Sequence, residues 1–307
     1  MSHWRIGEPL LTPGPAGSFD ETAVKDPSIV RHGGAWHLFY TARGQSEYTT
    51  GYVSAPTLEE LATAPRRQIA PARGRSGRYG CAPQVLFFRP QGLWYLVFQT
   101  RDADYQPACL TSRDLADPDG WSEARPLVAK RDAAKWIDFW LICDERDAYL
   151  FFTRAHREVW ALRCPIEAFP EGFGDPRPVF SGVHEAVHVY RAEGLGDEPE
   201  YHMIWEVNRG SSAGGERLFG LASAPHLAGP WASVAAEYAS GAQLRYALGA
   251  RVWTREVSHG EALRTGCDER LSYDAANPRL LIQGLRREGQ PDAYEDLRWS
   301  LGIIHRE

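Results

Sequence analysis

The chain has 307 residues, a mass of 34.4 kDa and a formal net charge of −6, from 34 Lys and Arg against 40 Asp and Glu. This acidic balance argues against a nucleic-acid-binding protein and gives no reason to expect adhesion to an anionic membrane. No stretch approaches the roughly 18 consecutive apolar residues of a membrane span. Aromatic residues make up 12% and come with 29 Gly and 21 Pro, which favours short strands and turns over a helical bundle.

The first eleven residues show no basic segment followed by an apolar run, so they lack the features of a secretory signal peptide. Either a cytoplasmic protein or a leader trimmed from this chain agrees with that observation, and we assign no compartment. The chain has five cysteines, an odd number, and none of them has CxxC spacing. This pattern disfavours a structural zinc site.

Helical periodicity is nearly absent, and only residues 57–63 suggest one or two helical turns. What recurs instead is a pair of apolar or aromatic strands joined by a connection that often contains Gly or Asp. The five copies cover residues 26–40, 82–99, 137–152, 185–206 and 258–284. They open at Asp26, Pro83, Asp138, Glu185 and His259, with spacings of 57, 55, 47 and 74 residues.

Spacing near fifty residues is typical of propeller blades with four strands each. The sequence therefore predicts an all-β fold, a five-bladed β-propeller. Five copies leave no room for a second large domain, so we expect residues 1–307 to form a single domain, with residues 1–24 as an N-terminal extension packing on it. A stacked β-sandwich is the structural alternative.

The strand openings carry acidic residues that a propeller would bring together. The first strand of each blade lines the central channel, so Asp26, Asp138 and Glu185 would meet at one mouth. Clustered carboxylates repel each other and raise the pKa of at least one, which is what general acid–base catalysis needs. A single Asp before Pro usually caps a turn, and Glu185 alone could be a solvated edge residue. The coincidence of three acids is what indicates a site.

The residues around these acids resemble glycoside hydrolase family 62, the α-L-arabinofuranosidases, and more distantly family 43. Matching stretches run from about residue 25 to residue 304. Trp-Ile-Asp-Phe-Trp at 136–140 and Ser-His-Gly-Glu at 258–261 are specific, whereas Lys-Asp-Pro at 25–27 is weak. The resemblance implies a five-bladed propeller that inverts the anomeric carbon. It makes Asp26 the general base, Glu185 the general acid, and Asp138 the residue that holds the acid's pKa and orients the acid. Repulsion from a neighbouring carboxylate such as Asp138 would help to raise the pKa of Glu185. Inversion implies an acid–base separation of roughly 6.5–9.5 Å.

The resemblance also implies four substrate-binding residues. Lys25 would bond to a sugar hydroxyl and hold Asp26 ionised, and Tyr294 would contact arabinose. Trp94 would form an apolar wall for the sugar ring, and Gln84 would supply a hydrogen bond in the pocket. Plainer interpretations are an exposed lysine and, for Trp94, packing within a blade.

A calcium ion commonly lies in the central channel of this family, near a histidine such as His259. Since calcium prefers oxygen ligands, His259 would be one contact, with waters and Gln283 completing the site. A buried, hydrogen-bonded histidine is the alternative. The chemistry itself requires no cofactor.

The resemblance predicts an inverting α-L-arabinofuranosidase that removes side groups from arabinoxylan or a related glycan. We expect a monomer with no nucleic-acid or membrane partner. The family is generally secreted, yet no leader is visible here. Two alternatives stay open: a family-43-like glycosidase acting on another furanoside or a xyloside, and a non-catalytic sugar-binding propeller.

Overall fold

The computed structural model describes residues 3–75, 77, 79–102, 106–128, 132–196, 200–210 and 215–307. In chain order its first strands are β1 (Trp4–Ile6), β2 (Ala23–His32), β3 (Ala35–Arg43), β4 (Tyr48–Ala55), β5 (Arg67–Gln68), β6 (Cys81–Phe88), β7 (Leu93–Gln99), β8 (Ala108–Ser112), β9 (Arg125–Pro126), β10 (Trp136–Cys143) and β11 (Asp147–Arg154). The later strands are β12 (Glu158–Pro165), β13 (Arg177–Ser181), β14 (Glu185–Glu193), β15 (Glu200–Arg209), β16 (Glu216–Ala224), β17 (Ala232–Ala239), β18 (Leu244–Tyr246), β19 (Ser258–Ala262), β20 (Ser272–Asp274), β21 (Arg279–Gly284) and β22 (Ser300–Arg306).

Helical structure in the described residues is limited to single turns of 3-10 helix. They cover Glu59–Ala62, Arg89–Gln91, Ile166–Ala168, Gly241–Gln243 and Tyr294–Asp296. The first of them confirms the helical turns expected within residues 57–63. Across the described part of the chain, none of these helices has the length and apolar character needed to cross a membrane.

The strands form five sheets, which are the five blades of a β-propeller. Blades 1, 2 and 3 are β2–β5, β6–β9 and β10–β13, and blade 4 is β14–β17 with β20 added beside β14. Blade 5 has the strand order β19, β21, β22, β1 and β18. Each predicted repeat supplies the first two, antiparallel strands of one blade. The predicted propeller is confirmed, and the alternative of a stacked sandwich is wrong.

The N-terminal strand lies inside blade 5 and joins the two ends of the chain. β1 pairs antiparallel with β22, with Trp4 opposite Arg306, and parallel with β18. Trp4 is fully buried, and its Nε1 donates a hydrogen bond to the Tyr238 carbonyl, which anchors the strand on blade 4. The N-terminal segment is thus part of a sheet. The assignment of residues 1–307 to one catalytic domain stays a prediction.

The first strand of blades 1 to 4 begins with the same irregularity. The ladder with the second strand shifts register after Lys25, Cys81, Ile137 and Glu185. The next residue in each case has a positive φ although it is not glycine, as in Asp26 (44°), Ala82 (46°), Asp138 (55°) and Ala186 (54°). Such backbone costs free energy and persists only where surrounding contacts enforce it. Those contacts come from the neighbouring blade.

A ring of five hydrogen bonds fixes these openings. In every blade, the backbone N–H of the residue at the bulge donates to a side-chain oxygen of the preceding blade. From blade 1 to blade 5 the donor–acceptor pairs are Asp26–Gln283 (2.8 Å), Ala82–Thr41 (2.8 Å), Asp138–Gln99 (3.1 Å), Ala186–Asp138 (2.7 Å) and His259–Glu206 (3.0 Å). The bonds orient the openings toward one mouth of the channel, and we call them the opening ring.

A second set of side-chain bonds ties the same strands together deeper in the channel. Gln84 is the clearest member, since its Oε1 accepts from the Leu141 N–H and its Nε2 donates to the Leu141 carbonyl, both at 2.7 Å. The other interfaces use Ser28 with Val85, Trp140 with Val189, Tyr190 with Ala262 and Glu261 with Ile29. Between the faces of adjacent sheets the core is apolar.

Replacing Gln84 by Leu should destabilise the fold. Gln84 is fully buried, and its removal leaves a buried N–H and a buried carbonyl of Leu141 without partners. Unpaired buried groups of this kind cost about 1–3 kcal/mol each. We expect a loss of about 2–4 kcal/mol in urea denaturation. Gln45→Leu, at an exposed position, should change stability by no more than about 0.5 kcal/mol. Equal stability of both variants would contradict the role given to Gln84.

Candidate active site

A cavity of about 280 Å³ lies at the mouth of the channel where the strand openings meet. Six residues predicted from the sequence line it, and they come from blades 1, 3, 4 and 5 and from the loop before β22: Lys25, Asp26, Asp138, Glu185, His259 and Tyr294. The structure therefore brings together residues separated by up to 269 positions in the chain, such as Lys25 and Tyr294. Their roles in catalysis stay predictions.

The three acids do not occupy equivalent positions, contrary to the interpretation of the repeat. Asp26 and Asp138 both lie on the positive-φ residue, and Ala186 takes that position in blade 4. Glu185 lies one residue earlier and corresponds to Lys25. This offset gives the acid from blade 4 a different backbone position from the other two.

Asp26 is held from two sides. Its backbone N–H is part of the opening ring, and its Oδ1 lies 3.3 Å from His259 Nδ1. The side chain is 11% exposed, so it remains open to the cavity. An anchored, partly exposed carboxylate is well placed to accept a proton from a small molecule in the pocket.

Lys25 and Tyr294 form one wall of the cavity. The Lys25 ammonium donates to the Tyr294 hydroxyl at 3.2 Å and lies 4.8 Å from the centre of that ring. Burial lowers the pKa of Lys25, but Tyr294 and Asp26 outweigh it and raise that pKa well above its ordinary value. Lys25 is thus a buried, permanent positive charge beside Asp26, and the plainer interpretation of an exposed lysine is wrong.

Glu185 has cationic or donor groups at both oxygens. Arg217 donates to Oε1 at 2.8 Å, while His156 Nδ1 and His184 Nε2 lie 3.4 and 3.7 Å from Oε2. Burial raises the pKa of Glu185, but His156, Arg217 and His184 outweigh it and hold that pKa well below its ordinary value. The expectation that the pKa of Glu185 is raised is therefore wrong.

Asp138 has the opposite electrostatic environment. Burial raises the pKa of Asp138, and the charges of Glu185 and Asp26 add to this effect, while His259 opposes it. Its Oδ2 accepts the Ala186 N–H at 2.7 Å, directly beside Glu185. Asp138 therefore contacts the backbone that carries Glu185, as an orienting residue would.

Behind Glu185 lies a pair of residues that the sequence reasoning missed. Arg217 donates to both Glu185 and Glu206, and Glu206 also accepts from the Ser258 hydroxyl and the His259 N–H. Burial raises the pKa of Glu206 to about 7, against the lowering effect of Arg217. Both residues lie on β15 and β16, outside the first strands on which the sequence analysis concentrated.

With this geometry established, comparison with known proteins identifies the family. The sequence profile described as glycosyl hydrolase family 62 matches residues 9–305. The chain belongs to glycosyl hydrolase family 62.

Individual relatives agree with the family assignment. Alpha-L-arabinofuranosidase C of Cellvibrio japonicus is 28% identical over 98% of this chain, which spans 46% of that relative's length. The catalytic domain of a family 62 α-L-arabinofuranosidase from Coprinopsis cinerea is 30% identical, with a TM-score of 0.88 over 99% of this chain and 97% of the other. The Podospora anserina α-L-arabinofuranosidase PaAbf62A, solved with cellotriose, is 27% identical, with a TM-score of 0.87 over 100% and 97% of the two chains. A thermostable family 43 glycoside hydrolase shares the fold at 16% identity and a TM-score of 0.62, over 95% and 91% of the two chains.

Two of the predicted substrate contacts in this family 62 chain are wrong. Both polar atoms of the Gln84 side chain are hydrogen-bonded to Leu141, deeper in the channel. Trp94 is 2% exposed and packs between blades 1 and 2 against His32 and Phe87. It lies five residues before Gln99 on β7, which places it about 17 Å along the strand from the cavity. The plainer interpretation, packing within the fold, describes Trp94 correctly.

Other side chains take the place of that aromatic wall. The cavity is lined by Tyr48, Tyr79 and Ile137 in addition to Tyr294. Tyr48 and Tyr79 contact each other with ring centres 5.7 Å apart. Neither lies in one of the five repeats, and no motif in the sequence singled them out.

The two residues predicted to hold a channel calcium offer few free atoms. Gln283 accepts from the Asp26 N–H through Oε1 and donates to Ser258 through Nε2. His259 turns Nδ1 toward Asp26, which leaves Nε2 as its ligand atom. Calcium takes six to eight oxygens, so these two side chains do not fit it by themselves. Calcium binding stays a prediction, and we derive no chemical step through it.

Replacing Arg217 by Met should destabilise the protein strongly, because it leaves the buried Glu206 carboxylate without its cation. Breaking a buried pair from one side costs about 3–5 kcal/mol. The double variant Arg217→Met/Glu206→Gln removes the orphaned charge as well and should recover a large part of the loss. Both are measured by urea denaturation.

The control is Arg209→Met on β15, whose partner Glu216 is exposed and whose partner Glu237 is partly exposed. It should cost no more than about 1 kcal/mol. A double variant as unstable as Arg217→Met alone would contradict the assignment of Arg217 as the counter-ion of Glu206.

Proposed function

We propose that this protein is an inverting α-L-arabinofuranosidase that removes arabinofuranosyl side groups from arabinoxylan or a related glycan. The observation that carries the proposal is the meeting of Asp26, Asp138 and Glu185 around one cavity in a family 62 chain. The cavity volume, about 280 Å³, lies at the lower end of ligand pockets and suits one sugar unit better than a polymer segment. This size favours cleavage of a terminal sugar.

Asp26 is the general base. It takes a proton from a water molecule, and the water oxygen attacks the anomeric carbon from the face opposite to the glycosidic oxygen. The Lys25 ammonium lies beside Asp26, and His259 Nδ1 lies 3.3 Å from Oδ1. The charge and the contact together hold the carboxylate of the base in place at the cavity.

Glu185 is the general acid. As the glycosidic bond breaks, it transfers its proton to the leaving oxygen, so arabinose with inverted anomeric configuration and the unsubstituted chain are the two products. Since Arg217 donates to Oε1, the proton has to be carried by Oε2. Asp138 positions this residue through the Ala186 N–H, and the charge of Glu185 in turn helps to raise the pKa of Asp138.

Replacing the acid and the base should affect two substrates differently. Asp26→Asn should lower kcat on arabinoxylan and on nitrophenyl α-L-arabinofuranoside by about 10²–10⁴-fold, because attack by water is needed for both. Glu185→Gln should lower kcat by a similar factor on arabinoxylan. The same variant should lose far less activity on nitrophenyl α-L-arabinofuranoside, because the leaving group of that substrate needs little protonation.

The matched controls are Asp119→Asn and Glu123→Gln, the same chemical changes at exposed positions. Both should keep wild-type activity. Wild-type rates in Asp26→Asn or in Glu185→Gln on arabinoxylan would remove the role given to that residue.

Product analysis tests the sugar, the linkage and the stereochemistry together. Following the hydrolysis of wheat arabinoxylan by NMR from its first minutes should show β-arabinofuranose as the first released anomer, which then mutarotates. Initial release of the α-anomer would contradict inversion. Release of xylose or another furanose from a substrate panel would favour the family-43-like alternative, and binding without turnover would favour a sugar-binding propeller. A monomeric state stays a prediction, which sedimentation measures directly.

A further inference from the structure

A cluster of two histidines and one carboxylate lies at the edge of the cavity. His156, His184 and Glu185 each offer one ligand atom, and these three atoms all lie within 4.8 Å of one another. Their side chains are 30%, 24% and 17% exposed, so they are held in place and still open to solvent. We propose that these three residues form a binding site for one Zn²⁺ or a similar divalent transition-metal ion, and that the bound ion blocks the proposed hydrolysis.

The distances suit such an ion. Zinc bound tetrahedrally to His and Glu has bonds of about 2.0–2.2 Å, which puts neighbouring ligand atoms about 3.3 Å apart. Glu185 Oε2 lies 3.4 Å from His156 Nδ1 and 3.7 Å from His184 Nε2. Small side-chain movements are enough to close the set around one ion.

The donor chemistry selects the class of metal. Two imidazole nitrogens and one carboxylate oxygen suit zinc, nickel or copper, whereas magnesium and calcium require mainly oxygen ligands. Three protein ligands leave a coordination position for water, as in open zinc sites. The ion proposed here is therefore separate from a channel calcium at His259.

The ligand atom of Glu185 already faces the histidines, and that of His156 becomes available once its proton has moved. Arg217 holds Oε1 of Glu185, which leaves Oε2 facing the histidines. His156 contacts the Lys135 ammonium through Nε2 at 2.8 Å, so its proton now lies on Nδ1, toward the His184 carbonyl at 3.2 Å. Metal binding requires the proton to move to Nε2 and Lys135 to turn away. Lys135 is exposed and can do so.

The blocking effect rests on the proposed function. The ion would bind Oε2, which is the oxygen that has to carry the proton to the leaving group. It would also stand in the space that the glycosidic oxygen enters. Metal binding itself depends only on the three ligands.

Binding is measured first without reference to activity. Protein treated with a chelator and then freed of it is titrated with Zn²⁺ by calorimetry, and with Co²⁺ by absorption spectroscopy, whose visible bands report tetrahedral coordination. We expect one ion per chain. His156→Ala, His184→Ala and Glu185→Gln should each weaken Zn²⁺ binding more than tenfold.

Two further variants make the result specific. His226→Ala removes an exposed histidine away from the cluster and should leave the affinity unchanged. Lys135→Met removes the group that competes for His156 and should tighten binding several-fold. Absence of binding by the wild type, or equal affinity in wild type and His184→Ala, would overturn the proposal.

Activity then separates this inference from the proposed function. With arabinoxylan, saturating Zn²⁺ should abolish hydrolysis by the wild type, and chelator should restore it. Zinc binding by a protein that releases no arabinose would sustain the metal site and contradict the hydrolase. Full activity of the zinc-loaded enzyme would sustain the hydrolase and overturn the blocking role.

Discussion

The opening ring is the constraint on which the pocket depends. Each of its hydrogen bonds joins the bulge of one blade to a side chain of the preceding blade, and in blades 1 to 4 these bonds enforce the strained backbone. A buried N–H without a partner costs free energy, and this cost opposes rotation of any single blade opening. Because Asp26 and Asp138 lie on the strained positions themselves, the bonds that close the fold also aim these two carboxylates.

Blade 3 differs from the other blades in the residue that accepts the hydrogen bond of the opening ring. In the other four blades the acceptor lies on the second strand, opposite the strand opening, as Thr41 and Gln99 do. Thr153 holds that position in blade 3, is fully buried, and its hydroxyl has no hydrogen-bond partner among the described residues. Asp138 takes its place and bonds to Ala186. The hydrogen bond to blade 4 is thus made by the ionisable side chain of Asp138 instead of Thr153, and it fixes Asp138 beside Glu185.

The sequence predicts the propeller well because paired apolar strands recur five times, and this periodicity survives differences in connection length. The convergence of Asp26, Asp138 and Glu185 follows from topology, so it too could be predicted. The relative offset of Glu185 could not, because a one-residue bulge shifts a side chain without a clear signature. Trp94 shows a further limit, because the sequence does not indicate at which end of a blade a tryptophan in a strand lies. A usable signal was missed: one polar residue comes directly after the apolar run of each second strand, namely Thr41, Gln99, Thr153, Glu206 and Gln283.

The groups around Glu185 meet one requirement of a general acid, a fixed orientation, and oppose another, a bound proton. Arg217 and the two histidines fix the carboxylate in one orientation, and the same groups favour its charged form. General acid catalysis needs the orientation but also needs a proton. Glu206 limits the conflict, because it shares Arg217 and so reduces the charge that this arginine presents to Glu185. The other groups that favour the charged form of Glu185 are His156 and His184, which lie beside Oε2. The oxygen that must donate the proton is therefore the one whose neighbours are most easily changed by solvent, substrate or a metal ion.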